Sequence, residues 1–264
     1  MPAAALPYFH VYRIAGVSSY GVLVLAGLAL GIAATILPAR RYQLPVGEIV
    51  ALAGVLVAAS LIGAHLLDVV ANQRAEAAQD ASLWWKLQIG ISLFGALAAI
   101  AIVTPLWCRA RKLPLAKVAD CIALGWLVAL VIGRIGCTLV HDHLGTPTRL
   151  PIGIADPTPD TSWTMYTPYA DTVPHRLVHD LGFEELLVAI PLALVMWLVS
   201  RRLRAGMTAA ITALAYAPIR FLLDFHRLPE SDPRYASLTA AQWGCLVMTA
   251  LALYAVVPLR RKVE

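Results

Sequence analysis

The sequence predicts an all-α fold: a polytopic membrane bundle of about seven transmembrane helices, with the N-terminus outside and the C-terminus cytoplasmic. Three observations predict it: a scarcity of charge, apolar runs long enough to cross a bilayer, and basic residues concentrated in every second loop. Charged residues make up 14% of the 264-residue chain and hydrophobic residues 59%, and the mean hydropathy is +0.72. A water-soluble domain carries about 25% charged residues, so much of this surface faces something other than water. In lipid, backbone polar groups must be satisfied internally, and helices do that within one segment. A single transmembrane domain over residues 1–264 is expected.

The apolar runs fall at Tyr20–Leu37, Val46–Val70, Trp84–Trp107, Val118–Val140, Phe183–Ser200, Met207–Phe225 and Leu238–Pro258. Each is close to the ~20 residues of helix that cross the hydrocarbon core. The N-terminal stretch MPAAALPYFHVYR has no basic segment ahead of an apolar core, so a cleaved signal peptide is not expected and the first run reads as a retained helix. Twelve of the 21 Lys and Arg lie in four alternate segments, ARRY, CRARKLPLAK, SRRLR and the tail RRK. Seven lie in the opposite loops, mixed with Asp and Glu, and two, Arg134 and Arg220, sit inside apolar runs. By the positive-inside rule the segments holding the twelve are cytoplasmic. The net charge of +5 is explained by those loops, so no nucleic-acid partner is expected.

The loops are short except for an external one at 141–182, rich in Pro and Thr and carrying Trp163, Tyr166 and Tyr169. A long loop of this kind is expected to touch headgroups or to pack on the bundle. No internal repeat is evident. Cys108, Cys121, Cys137 and Cys245 show neither CxxC nor Cys/His metal spacing and read as buried free thiols. No metal and no cofactor are expected.

The chemistry gathers on one side. All seven histidines, His10, His65, His141, His143, His175, His179 and His226, map to the outer side of this topology. Arg134, in LVIGRIGCTLV, and Arg220, in YAPIRFLLDF, lie within two turns of the outer ends of their helices. A charge at that depth costs several kcal/mol (of the order of 3) unless it is paired or faces a polar cavity. Asp224 is four residues after Arg220 on the same helix face and Arg227 follows the same way, so an Arg–Asp pair locking two helices is one reading for Arg220. Arg134 has no acid at i±4, and an external phosphate, which a guanidinium binds bidentately, is the expectation there. Gly133 and Gly136 flank Arg134 and let a headgroup or another backbone approach. His65 and Asp68 share one helix face.

Taken together, these segments resemble the prolipoprotein diacylglyceryl transferase family. Gly133-Arg134-Ile135-Gly136 is similar to its glycine-arginine-x-glycine-asparagine signature, and the stretch from Arg220 through Asp224 and Arg227 to Glu230 is similar to its penultimate-helix motif. Ser19-Tyr20-Gly21-Val22 resembles the first-helix tyrosine-glycine. The segment Gly90 to Gly95 resembles the third-helix signature, His179 to Glu185 the opening of the fifth helix, and Gln242 the glutamine of the last helix. There are departures. Cys137 stands where the signature has asparagine, Val140 where a second asparagine falls, Phe94 where histidine or tyrosine is usual, and His65 near the second-helix arginine. Asp142 and Gly145 match the acid and the glycine that close the signature.

The resemblance implies transfer of a diacylglyceryl group from phosphatidylglycerol to the lipobox cysteine of a prolipoprotein, within the bacterial inner membrane. The product is a thioether and glycerol phosphate leaves. It implies catalytic roles for Arg134, Arg220, Asp142, His141, His143 and Tyr20. Donor binding would fall to Gly133, Arg134, Gly136, Arg220, Asp224, Arg227, His65 and His179. The acceptor thiol needs a base, and His141, His143 and the His65–Asp68 pair are the candidates. Two other classes stay open: a non-catalytic or altered-acceptor phospholipid-binding relative, and a transporter, which needs polar groups at the midplane and through the cytoplasmic half.

The topology has a direct test. A reporter active only in the cytoplasm, fused after Glu264, is expected to be active; activity only of a reporter that works outside would invert the assignment of sides.

Overall fold

A computed structural model describes residue 11 and residues 13–86, 92–155, 177–228 and 233–261. The chain is a helical bundle. Its helices are α1 Ser19–Arg41, α2 Val46–Ala71, the short α3 Arg74–Gln79, α4 Leu93–Arg111, α5 Leu115–Val140, α6 Leu181–Val199, α7 Met207–Leu223 and α8 Ala240–Arg261. Six of these are long and apolar enough to cross a membrane, and α8 adds a shorter apolar stretch, Ala240–Val256. These are the seven runs read from the sequence. Prolines inside α1, α4, α6 and α7 (Pro38, Pro105, Pro191 and Pro218) are compatible with spanning helices, whose neighbours re-satisfy the freed backbone groups.

The third run begins later than its composition suggests. Trp84 belongs to a 3-10 turn, Ala81–Trp85, and α4 starts at Leu93. Asp80 ties the turn off: its carboxylate accepts the Ser82 N–H at 2.9 Å and the Lys86 ammonium at 3.2 Å. The long outer loop is also not all loop. Strands β1 Leu144–Thr148, β2 Ile154–Ala155 and β3 Leu177–Asp180 form an antiparallel sheet in the order β1-β3-β2. The aromatic cluster Trp163, Tyr166 and Tyr169, like His10 and His175, lies outside the described residues.

Small residues set the helix crossings. A Cβ on Gly31 of α1 would sit 2.9 Å from the Gly125 carbonyl oxygen of α5, and one on Gly125 would sit 2.6 Å from the Gly31 oxygen. Gly63 of α2 and Gly95 of α4 meet in the same reciprocal way. Backbones approach this closely only where side chains are absent, and dispersion and packing then supply the attraction that lipid does not.

The two ends of the bundle differ in chemistry. At the basic end, Asp120 at the start of α5 accepts the Gly206 N–H at 2.8 Å, the Ala209 N–H at 2.9 Å and the Tyr42 hydroxyl at 2.7 Å. It therefore caps α7, whose own N-cap residue, Gly206, has no side chain to do so. Burial and the Asp120 carboxylate push the Tyr42 phenol up to about 12, so it stays a donor. At the other end α1 and α8 each follow a two-residue hairpin, Arg13–Ile14 with Val17–Ser18 and Arg234–Tyr235 with Leu238–Thr239. Both turns hold their two central residues at positive φ: Ala15 and Gly16, then Ala236 and Ser237. Such turns match the twist of tight hairpins. The same device thus opens the first and last helices, a recurrence that the sequence does not announce.

Replacing Gly95 by Leu is expected to force α2 and α4 apart and to cost about 3 kcal/mol or more. Gly54→Leu, at a glycine with nothing within 4 Å of a built Cβ, is expected to stay within about 0.5 kcal/mol. Thermal midpoints of the detergent-solubilised variants compare the two.

Candidate functional site

At the end of the bundle away from the basic loops, α5, α6, α7 and the turn after α7 bring five charged side chains into one chain of alternating sign. Arg134 Nη2 of α5 lies 2.8 Å from Glu185 Oε2 of α6. The same oxygen is 3.3 Å from Arg220 Nε of α7. Arg220 Nη1 then reaches Asp224 Oδ1 at 2.8 Å, and Arg227 Nε lies 3.2 Å from that oxygen. The other carboxylate oxygens are used too. Tyr216 donates to Glu185 Oε1 at 2.6 Å, and the Thr239 hydroxyl donates to Asp224. Gln242 completes the junction with α8, accepting the Thr239 N–H at 3.0 Å and donating to the Phe221 carbonyl at 3.3 Å.

These groups are almost dry. Asp224 is fully buried, and Glu185 and Arg220 are 4% and 5% exposed. The charged chain faces a cavity of about 440 Å3 lined by Arg134, Arg220, Asp224 and Arg227, with Tyr20, Asp68, His143 and Cys137 also on its wall. Much of the remaining wall is apolar side chains of α1, α2, α4 and α5, Val24, Leu28, Leu56 and Leu97 among them, with Thr35, Ser60 and Asn72 between them. A polar, cationic end joined to an apolar trough is the shape of a phospholipid. A second, apolar cavity of about 1150 Å3 lies between α2, α4, α5, α7 and α8, and Phe94 lines both.

Arg134 shows more than its own helix offers. It has a carboxylate partner, but on another helix, where no i±4 spacing reveals it. Arg220 and Asp224 do form the intrahelical pair expected. The two glycines beside Arg134 divide their work. A Cβ on Gly133 would meet nothing within 4 Å, on the cavity wall, whereas one on Gly136 would sit 3.3 Å from Leu23 Cβ and 3.4 Å from Tyr20 Cδ2. Gly136 is thus a packing residue against α1.

Of the histidines, His143 reaches the cavity. It follows His141, which ends α5 with φ +49° and turns the chain back on the helix end. His143 Nδ1 lies 2.5 Å from Asp142 Oδ1. Burial alone would raise the Asp142 carboxyl, but the His143 hydrogen bond and the charges of His143 and Arg134 outweigh it and hold the group below its ordinary value. His141 is engaged elsewhere: it is 6% exposed and its Nδ1 lies 2.7 Å from Asp180 Oδ2. His65 Nε2 lies 2.9 Å from the Leu83 carbonyl, while Asp68 accepts from Asn72 at 2.7 Å and Gln73 at 2.6 Å, so this pair helps fasten the end of α2. His179 joins Glu184 at 2.5 Å, and His226 stacks on its ring at 4.0 Å, in a cluster that does not line the 440 Å3 cavity. Phe94 is 6% exposed and packs with Ala217 and Cys245, so α4 offers no proton acceptor at that position.

A family model for prolipoprotein diacylglyceryl transferase matches residues 8–258. The chain belongs to that family. Curated relatives named phosphatidylglycerol–prolipoprotein diacylglyceryl transferase are similar at low identity. The Cutibacterium acnes protein is 29% identical over 161 residues, covering 58% of this chain and 53% of the relative. The Bordetella parapertussis protein is 28% identical over 164 residues, 60% and 57%. A Streptomyces coelicolor transferase numbered 2 is 27% identical over 196 residues, 69% and 58%. The matches thus span about half the length of these relatives.

Glu185 is the member of this charged chain that local spacing does not reveal. Its signal is one of balance: a second acid beside Glu184 at the head of an apolar run, in a chain with two intramembrane arginines. Glu185→Gln leaves two buried guanidinium groups facing each other and is expected to cost about 3–5 kcal/mol. Replacing Arg134 and Glu185 together by Met and Leu is expected to recover much of that loss, because the charges leave as a pair. Thermal midpoints of the purified proteins decide it.

Proposed function

We propose that this chain is a phosphatidylglycerol–prolipoprotein diacylglyceryl transferase working at the outer face of a bacterial inner membrane. The observation that carries the reading is the pair of buried guanidinium groups, Arg134 and Arg220, held together by Glu185 on the wall of a largely apolar trough. The donor enters from the bilayer with its acyl chains between α1, α2, α4 and α5 and its phosphate toward Arg134 and Arg220. The acceptor sulfur attacks the glycerol carbon that carries the phosphate ester. As that C–O bond breaks, its electron pair leaves with the phosphate, and preorganised cations in a dry site stabilise the growing charge without reorganising. Tyr20 lies on the cavity wall beside Gly136, placed to orient the headgroup.

The acceptor thiol must also lose its proton, since the thiolate is the nucleophile. Phe94 cannot take it. The corner of the cavity formed by Cys137, Asp142 and His143 is where we place that step. A phospholipid-binding relative that performs no transfer is the second reading, favoured by Phe94. A transport path is disfavoured, because Asp120, the buried acid at the start of α5, is consumed in capping α7.

Radiolabelled phosphatidylglycerol and a lipobox peptide are expected to yield labelled thioether peptide. Arg134→Lys and Arg220→Lys keep the charge but not the planar fork, and each is expected to lower transfer by about 10²-fold or more with normal membrane levels. Donor binding without transfer by the wild type would select the second reading. Full activity in both variants would remove the phosphate assignment.

A further inference from the structure

We propose that Cys137, Asp142 and His143 form a divalent-metal site of the zinc class, and that the bound ion generates the acceptor thiolate. The second clause rests on the transferase reading; the site itself does not. The ligand atoms of the three residues all lie within 4.8 Å of one another. A tetrahedral zinc site has Zn–S near ~2.3 Å and Zn–N and Zn–O near ~2.0–2.2 Å, which puts its ligand atoms roughly 3.3–3.6 Å apart. The present contact of 2.5 Å between Asp142 and His143 then opens by about 1 Å, and Cys137 Sγ, within 4.8 Å of both, settles to the same spacing. Both are side-chain adjustments. The sequence spacing hides the site, since no regular helix or strand brings residues five and six positions on back to a cysteine. The positive φ of His141 does so, by ending α5 and folding Asp142 and His143 over its last turn.

Three further observations point to an ion here. The set of one thiolate, one imidazole and one carboxylate is a borderline-soft donor set, suited to zinc over magnesium or calcium. It offers three protein ligands and so keeps the fourth position open, the pattern of reactive rather than structural zinc sites. His143 and Asp142 are 32% and 30% exposed at their side chains while Cys137 is 5% exposed, so the open position faces the cavity through which an acceptor arrives. One cation opposes the ion. Arg134 Nη1 lies 3.5 Å from Cys137 Sγ. Glu185, which Arg134 shares with Arg220, lies 2.8 Å from it on the other side, and a thiolate sulfur can accept from a guanidinium while binding a metal.

The step balances simply. The acceptor thiol takes the fourth position and its proton passes to water, because a coordinated thiol is deprotonated outright. The sulfur then forms its bond to the glycerol carbon, the carbon–oxygen bond to phosphate breaks, and glycerol phosphate leaves with the electron pair. A thioether carries no charge for the ion, so the product sulfur dissociates and water returns. His143 acts as a ligand in this scheme, and no base on α4 is required, which accounts for Phe94 and Cys137 standing in one chain.

Cobalt(II) added to metal-free purified protein reports the site, because sulfur-to-cobalt charge transfer appears only when a thiolate binds. The expected result is that band, saturating at about one equivalent for a single site, absent in Cys137→Ser and unchanged in Glu184→Gln. The second variant matters because His179, Glu184 and His226 also lie within metal-binding reach of one another, without sulfur. No charge-transfer band in the wild type, or an unaltered band in Cys137→Ser, overturns the site. The companion measurement is transfer to a lipobox peptide after chelation, expected to fall by about 10²-fold or more and to return with zinc, while retention of phosphatidylglycerol is unchanged. Full transfer by the chelated protein overturns the role of the ion. A cobalt band with no transfer under any metal condition removes the transferase reading and leaves the site standing.

Discussion

The half of this bundle away from the basic loops depends on the compensation of Arg134 and Arg220 by one carboxylate. An unpaired arginine at such depth is costly, and two would repel each other across the same few ångströms. Glu185 answers both with a single oxygen, and its second oxygen is held by Tyr216. That requirement fixes where α6 must stand between α5 and α7. It also explains why the outer end of α7 unwinds into the turn 224–226, where Asp224 takes Arg220, Arg227 and Thr239 at once. Through Thr239 and Gln242 the same network reaches α8. Four helices are thus positioned by one electrostatic condition, while α1, α2, α4 and α5 are positioned by glycine contacts that carry no charge.

The two modes of packing divide the molecule by function. Glycine-on-glycine crossings bring α1 against α5 and α2 against α4, and between these pairs lies the apolar wall of the cavity. The ionic chain closes its polar end. A site for an amphiphile needs both, and it needs them adjacent. Because the cations are held by acids rather than by water, the site loses little on excluding solvent, which is the condition under which fixed charges act most strongly on a developing phosphate dianion.

Much of this was legible in the residues. The seven apolar runs became helices because run length and loop charge are direct consequences of the bilayer, and local propensity has little to override. The Arg220–Asp224 pair was legible because four residues are one helical turn. Glu185 was not: its partners lie 51 positions before it and 35 after it in sequence, and only tertiary structure joins them. The late start of α4 escaped because Trp84 and Trp85 read as apolar, while the decisive group is the Asp80 carboxylate that binds the turn. His141 and His65 read as bases because composition cannot distinguish a histidine that faces a cavity from one already bonded to Asp180 or to the Leu83 carbonyl.

The departures from the family pattern make physical sense as a set. Losing a polar side chain at Phe94 removes a proton acceptor but completes an apolar contact: the ring rests against Gly244, where a Cβ would collide with it, and beside Ala217 and Cys245. A histidine there would need a hydrogen-bond partner among apolar neighbours, at a cost of about 1–3 kcal/mol for a buried unsatisfied group. Restoring the family residue at this one position therefore does not by itself restore a base, since the environment has been rebuilt around a hydrocarbon ring. Cys137 shows the complementary change. It sits next to the arginine signature, within reach of Asp142 and the Arg134 guanidinium, where a polarizable sulfur keeps a contact with cations that asparagine would make through its carbonyl. On the proposed transferase reading the thiol still has to lose its proton, and with a hydrocarbon ring on α4 the groups placed to take it are those at the end of α5, where a sulfur stands beside an imidazole and a carboxylate.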